Sequence, residues 1–335
     1  MEKYPDVLAA LGHPVLQLPR MTVHPYGGRV MGLYPDGEQN VMWTNPALED
    51  EVTAAPLLSS KTWTNLGGDR TWLSPEIEMF VADMDRVAET YRPPAAFDPG
   101  AYRVLSHSSV RVEMETEAEV DFFRTGSREK FRLHKRISAL TAPDFPLPPG
   151  VAAAGYELRC TLAALQPLNP AVRPALWNLL QVPGNGEIIV PTARTNPVEF
   201  FGGAQYICGG GCLRVAVPAA AEPCKFGLLP EDCTGKMLYL KVATPRPFLI
   251  IRWFSVGRSG DYFDIPFTEP KSPGTVQQIY VDNGIYGNFG EMEHHSPALI
   301  SGVRDQVADT CTTWAFIGTA GVLEQLARTI IDGEK

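Results

Sequence analysis

Apolar and polar residues alternate most regularly between Val110 and Leu140. Over Arg111 to Asp121, Val112, Met114, Ala118 and Val120 fall on one face of an extended chain and Glu113, Glu115, Glu117 and Glu119 on the other. The next run places Lys130, Arg132, His134 and Arg136 at the same period, so an antiparallel pair would set cations opposite carboxylates and fix its register. An acidic cation site is the functional alternative for this face. Elsewhere, short runs rich in Val, Ile, Phe, Tyr and Trp lie between scattered Gly and Pro. They predict strands over Gly28–Tyr34, Asn40–Thr44, Tyr102–Ser106, Val110–Phe123, Lys130–Leu140, Tyr156–Leu165, Glu187–Val190, Cys212–Val217, Met237–Val242, Phe248–Phe254, Gln278–Asp282 and Gln306–Ile317. A dozen strands exceed one small barrel. Helical periodicity is confined to Tyr4–Leu11 and to Val322–Ile331, where Leu323, Leu326, Ala327 and Ile330 share a face. Helices at the periphery argue against a parallel α/β sheet. The pattern predicts an all-β fold, with the Pro-rich piece Thr141–Gly150 as a loop crossing between two sheets.

Composition narrows the partners. The chain has 335 residues, 44% of them hydrophobic, and a net charge of -9 from 29 Lys and Arg against 38 Asp and Glu. That balance disfavours a phosphate backbone, so no nucleic-acid partner is expected. No apolar run is long enough to span a bilayer, and no membrane partner is expected. The first thirty residues lack an apolar leader core behind a basic start, which makes the cytoplasm the default compartment, a leader removed beforehand being left open. Six cysteines are too few for a disulfide scaffold. Cys208, Cys212, Cys224 and Cys233 lack the paired two-residue spacing of structural zinc sites, so buried thiols are expected ahead of a disulfide or zinc.

Two segments carry more polar chemistry than turns require. Asn65 to Glu76 follows Gly67 and Gly68 with Asp69, Arg70, Trp72 and Glu76; an indole can stack on a sugar ring while Arg and carboxylates bond its hydroxyls. The alternative is a loop whose Asp69 and Arg70 neutralise each other while Trp72 fills core. In the second, a strand over Phe289–His295 would send Glu291, Glu293 and His295 to one face and Met292 and His294 to the other. Two carboxylates and an imidazole on one face can supply a general acid and base. A solvated surface strand is the other reading.

In these segments the chain resembles the galactose mutarotase (aldose 1-epimerase) superfamily. The resemblance is carried by Gly67-Gly68-Asp69-Arg70-Thr71-Trp72-Leu73-Ser74-Pro75-Glu76 and by Gly290-Glu291-Met292-Glu293-His294-His295-Ser296-Pro297. Lys135-Arg136-Ile137, Asn169-Pro170 and Trp177-Asn178 are similar to its central strand and following loop. The resemblance implies a large antiparallel β-supersandwich over residues 1–335, with 1–19 as an N-terminal extension and 320–335 as a C-terminal helix packed on it. It implies a carbohydrate ligand on the concave sheet face, contacted by Asp69, Arg70, Trp72, Glu76, Asn169 and Trp177. It also implies epimerase-like acid/base chemistry in which a glutamate removes the anomeric proton and a histidine protonates the ring oxygen. Glu293 is the preferred base, Glu291 the second candidate and His295 the imidazole on the same face. The family's histidine shortly after the central Asn is missing from Asn169 to Pro174, so carbohydrate binding without catalysis is the alternative. No cofactor is implied; a divalent cation such as Ca²⁺ is left open.

Overall fold

Strands form where one face of an extended chain can be buried, and here most do so in two stacked antiparallel sheets. The structure, a computed structural model, describes residues 3–194, 196–203, 205–217, 222–257 and 260–333. The outermost residues of the expected extension and terminal helix, 1–2 and 334–335, lie outside the described residues. The chain opens with α1 (Tyr4–Ala10), β1 (Leu16–Leu18), β2 (Met21–His24), β3 (Arg29–Leu33), α2 (Glu51–Leu58), β4 (Asp69–Ser74), α3 (Glu76–Met79) and α4 (Val87–Thr90). A meander of long strands follows: β5 (Arg103–His107), β6 (Arg111–Phe122), β7 (Ser127–Leu140) and β8 (Ala152–Ala164). Then come β9 (Ala175–Pro183), β10 (Gly186–Pro191), β11 (Val198–Phe201), β12 (Ile207–Gly209), β13 (Cys212–Val217) and β14 (Cys224–Leu228). The chain ends through β15 (Lys236–Lys241), β16 (Phe248–Phe254), β17 (Gln277–Val281), β18 (Phe289–His295), β19 (Gln306–Ile317) and α5 (Ala320–Ile331).

One sheet has nine strands in the order β1-β2-β3-β4-β9-β18-β17-β14-β11, the other ten in the order β12-β13-β10-β15-β16-β19-β8-β7-β6-β5. Their facing sides share a core in which Val112, Met114, Phe131, Leu133 and Leu158 belong to the same cluster as Leu180, Met292 and Ile279. The charged ladder expected on β6 and β7 is present, with Glu113, Glu117 and Glu119 opposite Arg136, Arg132 and Lys130. Glu117–Arg132 and Glu119–Lys130 lie at 2.7 and 3.2 Å, between half-exposed side chains. Farther along the same outer face the charges give way to Leu238, Leu249, Ile251 and Trp314, which α5 covers with Leu323, Leu326, Ala327 and Ile330.

Three expectations are corrected. The Pro-rich 141–151 segment joins β7 to β8, neighbours in one sheet, so it does not cross between sheets; it folds back so that Phe145 meets Phe316 at 6.0 Å. Asn40–Thr44 is not a strand, because its bonds go to the ends of two different strands, Trp43 donating to the Gln181 carbonyl and accepting from Gly68. Gly67–Glu76 is not a loop. Its glycines, at φ of +94° and +80°, sit where a Cβ would lie 2.5 Å from the Trp43 carbonyl and 2.3 Å from that of Val30, and the chain then enters the sheet as β4. Among the described residues no helix is long and apolar enough to cross a membrane.

The cysteines are dispersed. Cys160, Cys224, Cys233 and Cys311 belong to the inter-sheet core, Cys212 to the layer under α5, and Cys208 is exposed. Burial pushes the Cys160 thiol up to about 11 and raises Cys311 well above the ordinary thiol value. A thiol reagent should therefore label Cys208 in the native protein and reach Cys160 and Cys311 only on unfolding. Denatured, unreduced protein should yield six thiols, and a lower count would contradict this placement.

Candidate functional site

Registry across the nine-stranded sheet gathers the polar side chains. Arg70 of β4 lies opposite Leu179 of β9, which lies opposite Glu293 of β18, which lies opposite Gln278 of β17. The row beside it runs Trp72, Trp177 and His295; the row on the other side runs Gln181, Glu291, Tyr280 and Lys225. Directly opposed residues in a sheet share a face, so these three rows form one surface, turned away from the inter-sheet core. Segments after β4, including Glu76, Tyr91 and Asp98, close over it.

The bonds within this surface are dense. Arg70 Nη2 donates to Glu291 Oε1 at 2.8 Å, and Gln181 Nε2 donates to the same oxygen at 2.7 Å. Trp177 Nε1 donates to Glu293 Oε2 at 2.8 Å. Lys225 Nζ lies 3.2 Å from Glu76 Oε2 and 3.5 Å from Glu293 Oε2, with 4.3 Å to the Trp177 ring centre. The Tyr91 hydroxyl donates to the other Glu76 oxygen. His295 pairs through Nδ1 with Ser74 Oγ at 3.0 Å and stacks on Trp177. Asp98 accepts from Arg29 at 2.5 Å, from Trp63 at 3.0 Å and from Trp72 at 3.2 Å. Asp264 accepts from Gln278 at 2.6 Å and from the Glu76 backbone at 2.9 Å.

Burial sets the protonation of this cluster. It pushes the Glu293 carboxyl up to about 8; Lys225 opposes the shift, and the Glu291 and Glu76 carboxylates add to it. Burial, with Lys225 nearby, holds His295 well below the ordinary imidazole value. Burial also raises Glu76. Burial works against the Lys225 charge, but Glu293, Glu76 and Asp264 together outweigh it and hold the ammonium protonated. At neutral pH the face thus presents a protonated carboxyl at Glu293 and a neutral imidazole at His295. Among the described residues six buried polar atoms here have no hydrogen-bond partner: Arg70 Nε and Nη1, Gln181 Oε1, Gln278 Oε1, Glu293 Oε1 and His295 Nε2, with Arg70 Nε at 3.8 Å from Asp98 and His295 Nε2 at 4.0 Å from Asp264 as longer charged contacts.

Of the residues singled out in the sequence, Glu291, Glu293, His295, Arg70, Trp72, Glu76 and Trp177 come together. Asp69 does not: alternation turns it to the opposite face, where it accepts from Tyr156 at 2.5 Å and pairs with Arg252. Asn169 lies in the turn before β9, its side chain accepting from Ala171 and its backbone donating to Glu129. Trp72 is 4% exposed and carries the Arg70 guanidinium 4.2 Å over its ring, so it holds the arginine and presents no open stacking face. Half-buried Trp63 is the indole nearer the surface, 5.5 Å from the half-exposed Tyr286. Sequence reasoning missed Lys225, Gln181, Gln278, Asp98, Asp264 and Trp63. A lone lysine inside the apolar run Cys224–Leu229 was an available signal, since a charge in such a run needs a buried partner.

Comparison with solved structures identifies the architecture. A provisionally named aldose 1-epimerase from Escherichia coli K12 superposes with a TM-score of 0.51 over 90% of this chain and 97% of its own, at 9% identity. The fold is galactose mutarotase-like. A galactose mutarotase related enzyme from Lactobacillus acidophilus (TM-score 0.46, 8% identity, 92% and 98% coverage) and an aldose epimerase homologue from C. elegans (0.44, 9%, 91% and 98%) are also similar. No protein-family model and no curated protein matches the chain. At 9% identity the likeness gives the fold alone, and the chemistry must be argued from the side chains on the nine-stranded sheet.

Proposed function

We propose that the polar face of the nine-stranded sheet binds a neutral sugar and moves protons at its hemiacetal, as an aldose epimerase would. The observation that carries this reading is the set of six buried atoms that make no hydrogen bond with a described residue. Each buried polar group left unpaired costs about 1–3 kcal/mol, so the set calls for a partner rich in groups that both donate and accept. Sugar hydroxyls do both. The charges compensate internally, Arg70 with Glu291 and Lys225 with Glu76, which favours a neutral ligand over an ionic one.

The pKa ordering reverses the roles expected from sequence. Glu293, protonated at neutral pH, is the donor to the ring oxygen, and neutral His295 accepts the anomeric proton. The C1–ring oxygen bond breaks as the carbonyl forms, leaving Glu293 ionised and His295 protonated; closure on the other carbonyl face returns both protons. Two residues apart on one strand, the two side chains spring from Cα atoms about 6.6 Å apart on the same face, close enough for both to approach one ring. Binding without turnover is the second reading, favoured by the missing histidine between Asn169 and Pro174.

The test is calorimetric titration with a panel of neutral monosaccharides, with and without Ca²⁺. At least one should bind saturably, and Arg70→Met should weaken it at least about tenfold, since a charged donor to a buried ligand is worth about 1.5–3 kcal/mol. No binding by any sugar, or equal affinity in the variant, would overturn the reading.

A further inference from the structure

Arg70, Gln181, Gln278, Glu293 and His295 are each at most 2% exposed, so a ligand reaches the polar face only if its cover moves. That cover is pinned at two points. Glu76 is held by Lys225 at 3.2 Å and by the bond from its backbone N–H to Asp264 at 2.9 Å, while Asp98 is held by Arg29, Trp63 and Trp72. Asp264, on the other side, bonds into the sheet through Gln278 at 2.6 Å. Between the two pins, residues 80–92 form a surface loop whose ends meet: the Arg92 N–H donates to the Phe80 carbonyl at 2.8 Å, and Val81 bridges to Tyr91. The loop bonds mostly to itself, Thr90 and Arg86 both pairing with Asp83. Among the described residues, the side-chain bonds that tie it to the rest of the chain come from Arg124, donating to the Val81 and Ala82 carbonyls at 2.6 and 3.2 Å, and from the Tyr91 hydroxyl on Glu76. Phe80 and Val81 are buried, and the rest of the loop is half-buried or exposed.

Phe80 is the part of this loop that reaches the site. Its ring centre lies 5.3 Å from that of Trp72 and 6.0 Å from that of Trp177, both on the polar face. A phenyl ring has no hydrogen bond to offer the six atoms that lack one, so it keeps water from them without satisfying them. A ring seated by contact alone, on a loop bonded mainly to itself, opens by a local equilibrium separate from the unfolding of the sheets. We infer that residues 80–92 are a lid and Phe80 its plug: the loop lifts between Glu76 and Asp98, the phenyl leaves the indoles, and the ligand takes its place. The ligand half of this inference rests on the sugar reading above; the opening does not. Only opened molecules bind, so apparent affinity falls with the fraction open, which the plug keeps low.

Val81→Cys places a thiol inside the closed loop. In the native full-length protein, iodoacetamide labelling with peptide mapping should modify that thiol at least about a hundredfold faster than Cys160 and Cys311, which wait for the sheets to part. Adding Phe80→Ala should speed it a further tenfold or so, through loss of a buried aromatic contact, and leave the Cys311 rate unchanged. Hydrogen exchange of the parent keeps the test valid should Val81→Cys fail to fold: the Phe80 amide, bonded to the Glu76 carbonyl at 3.0 Å, should exchange ahead of the β18 amides. Labelling at position 81 no faster than at Cys311, or a Phe80 amide that exchanges with β18, would overturn the lid. Equal acceleration of both thiols by Phe80→Ala would make Phe80 ordinary core and overturn the plug. A monosaccharide that binds the parent should bind Phe80→Ala at least about threefold more tightly, and weaker binding would make the phenyl a ligand contact instead. If no sugar binds either protein, the sugar reading fails while the thiol rates still decide the lid.

Discussion

Lys225→Met is expected to destabilise the protein by about 3–5 kcal/mol near pH 8.5 and by far less near pH 5, because it removes the cation that two buried carboxylates share. The sign follows from Glu293. Its folded value, about 8, lies above its value in an unfolded chain, about 4.3, so the folded state holds the proton more tightly. The stability this provides is complete below the unfolded value and is lost as pH climbs toward the folded one. Lys225 limits that loss by holding the folded value down. Without it, Glu293 and Glu76 move higher still, and the loss continues beyond the pH at which the parent levels off. The deficit should therefore grow with pH, as read from urea midpoints at the two pH values with unchanged m. As pH falls and the carboxyls take up protons, the variant even escapes the burden of a buried ammonium losing its counter-charges. A deficit larger at pH 5 than at pH 8.5 would mean that Lys225 is not the counter-charge of this pair.

The same burial explains which parts of the molecule were legible in the sequence. The β6–β7 ladder and α5 were readable because each has one wet face, and water against core is what writes a period of two or 3.6 into a chain. β4 has no wet face: Arg70, Trp72 and Ser74 are buried under the segments after the strand, while Asp69 and Thr71 are buried between the sheets. Polar residues satisfied by other polar residues look like a loop. Read as a strand, the segment would by alternation alone have separated Asp69 from Arg70. β9 failed for the opposite reason, since Ala175 to Val182 is buried throughout and mostly apolar, and periodicity cannot type such a run. The grouping of Glu291, Glu293 and His295 was legible because alternation holds whatever covers the face. Their partners were not: Asp98 and Asp264 come from irregular segments with no period, and the seating of Arg70 on Trp72 is a distance, visible only in three dimensions.

On any sugar that the polar face binds and converts, Glu293→Gln should lower kcat by about 10²–10⁴ while leaving affinity nearly unchanged. The amide keeps the carboxyl's shape and its acceptor for the Trp177 N–H, but it has no acidic proton to give the ring oxygen. The pH profile decides between the two assignments of roles. If Glu293 is the donor, kcat/KM is flat through neutrality, where the carboxyl is protonated and His295 neutral, and falls as pH rises past about 8. If Glu293 were instead the base, kcat/KM would rise through the same region, as the carboxylate it requires accumulates. His295 titrates well below neutrality, so neither limb near pH 8 belongs to it, and His295→Asn should depress the whole curve without moving that limb. A Glu293→Gln enzyme with the parent's kcat would remove this residue from the chemistry. If the variant kept binding while the parent itself turned nothing over, the face would be a sugar receptor whose raised carboxyl serves only to donate one more hydrogen bond.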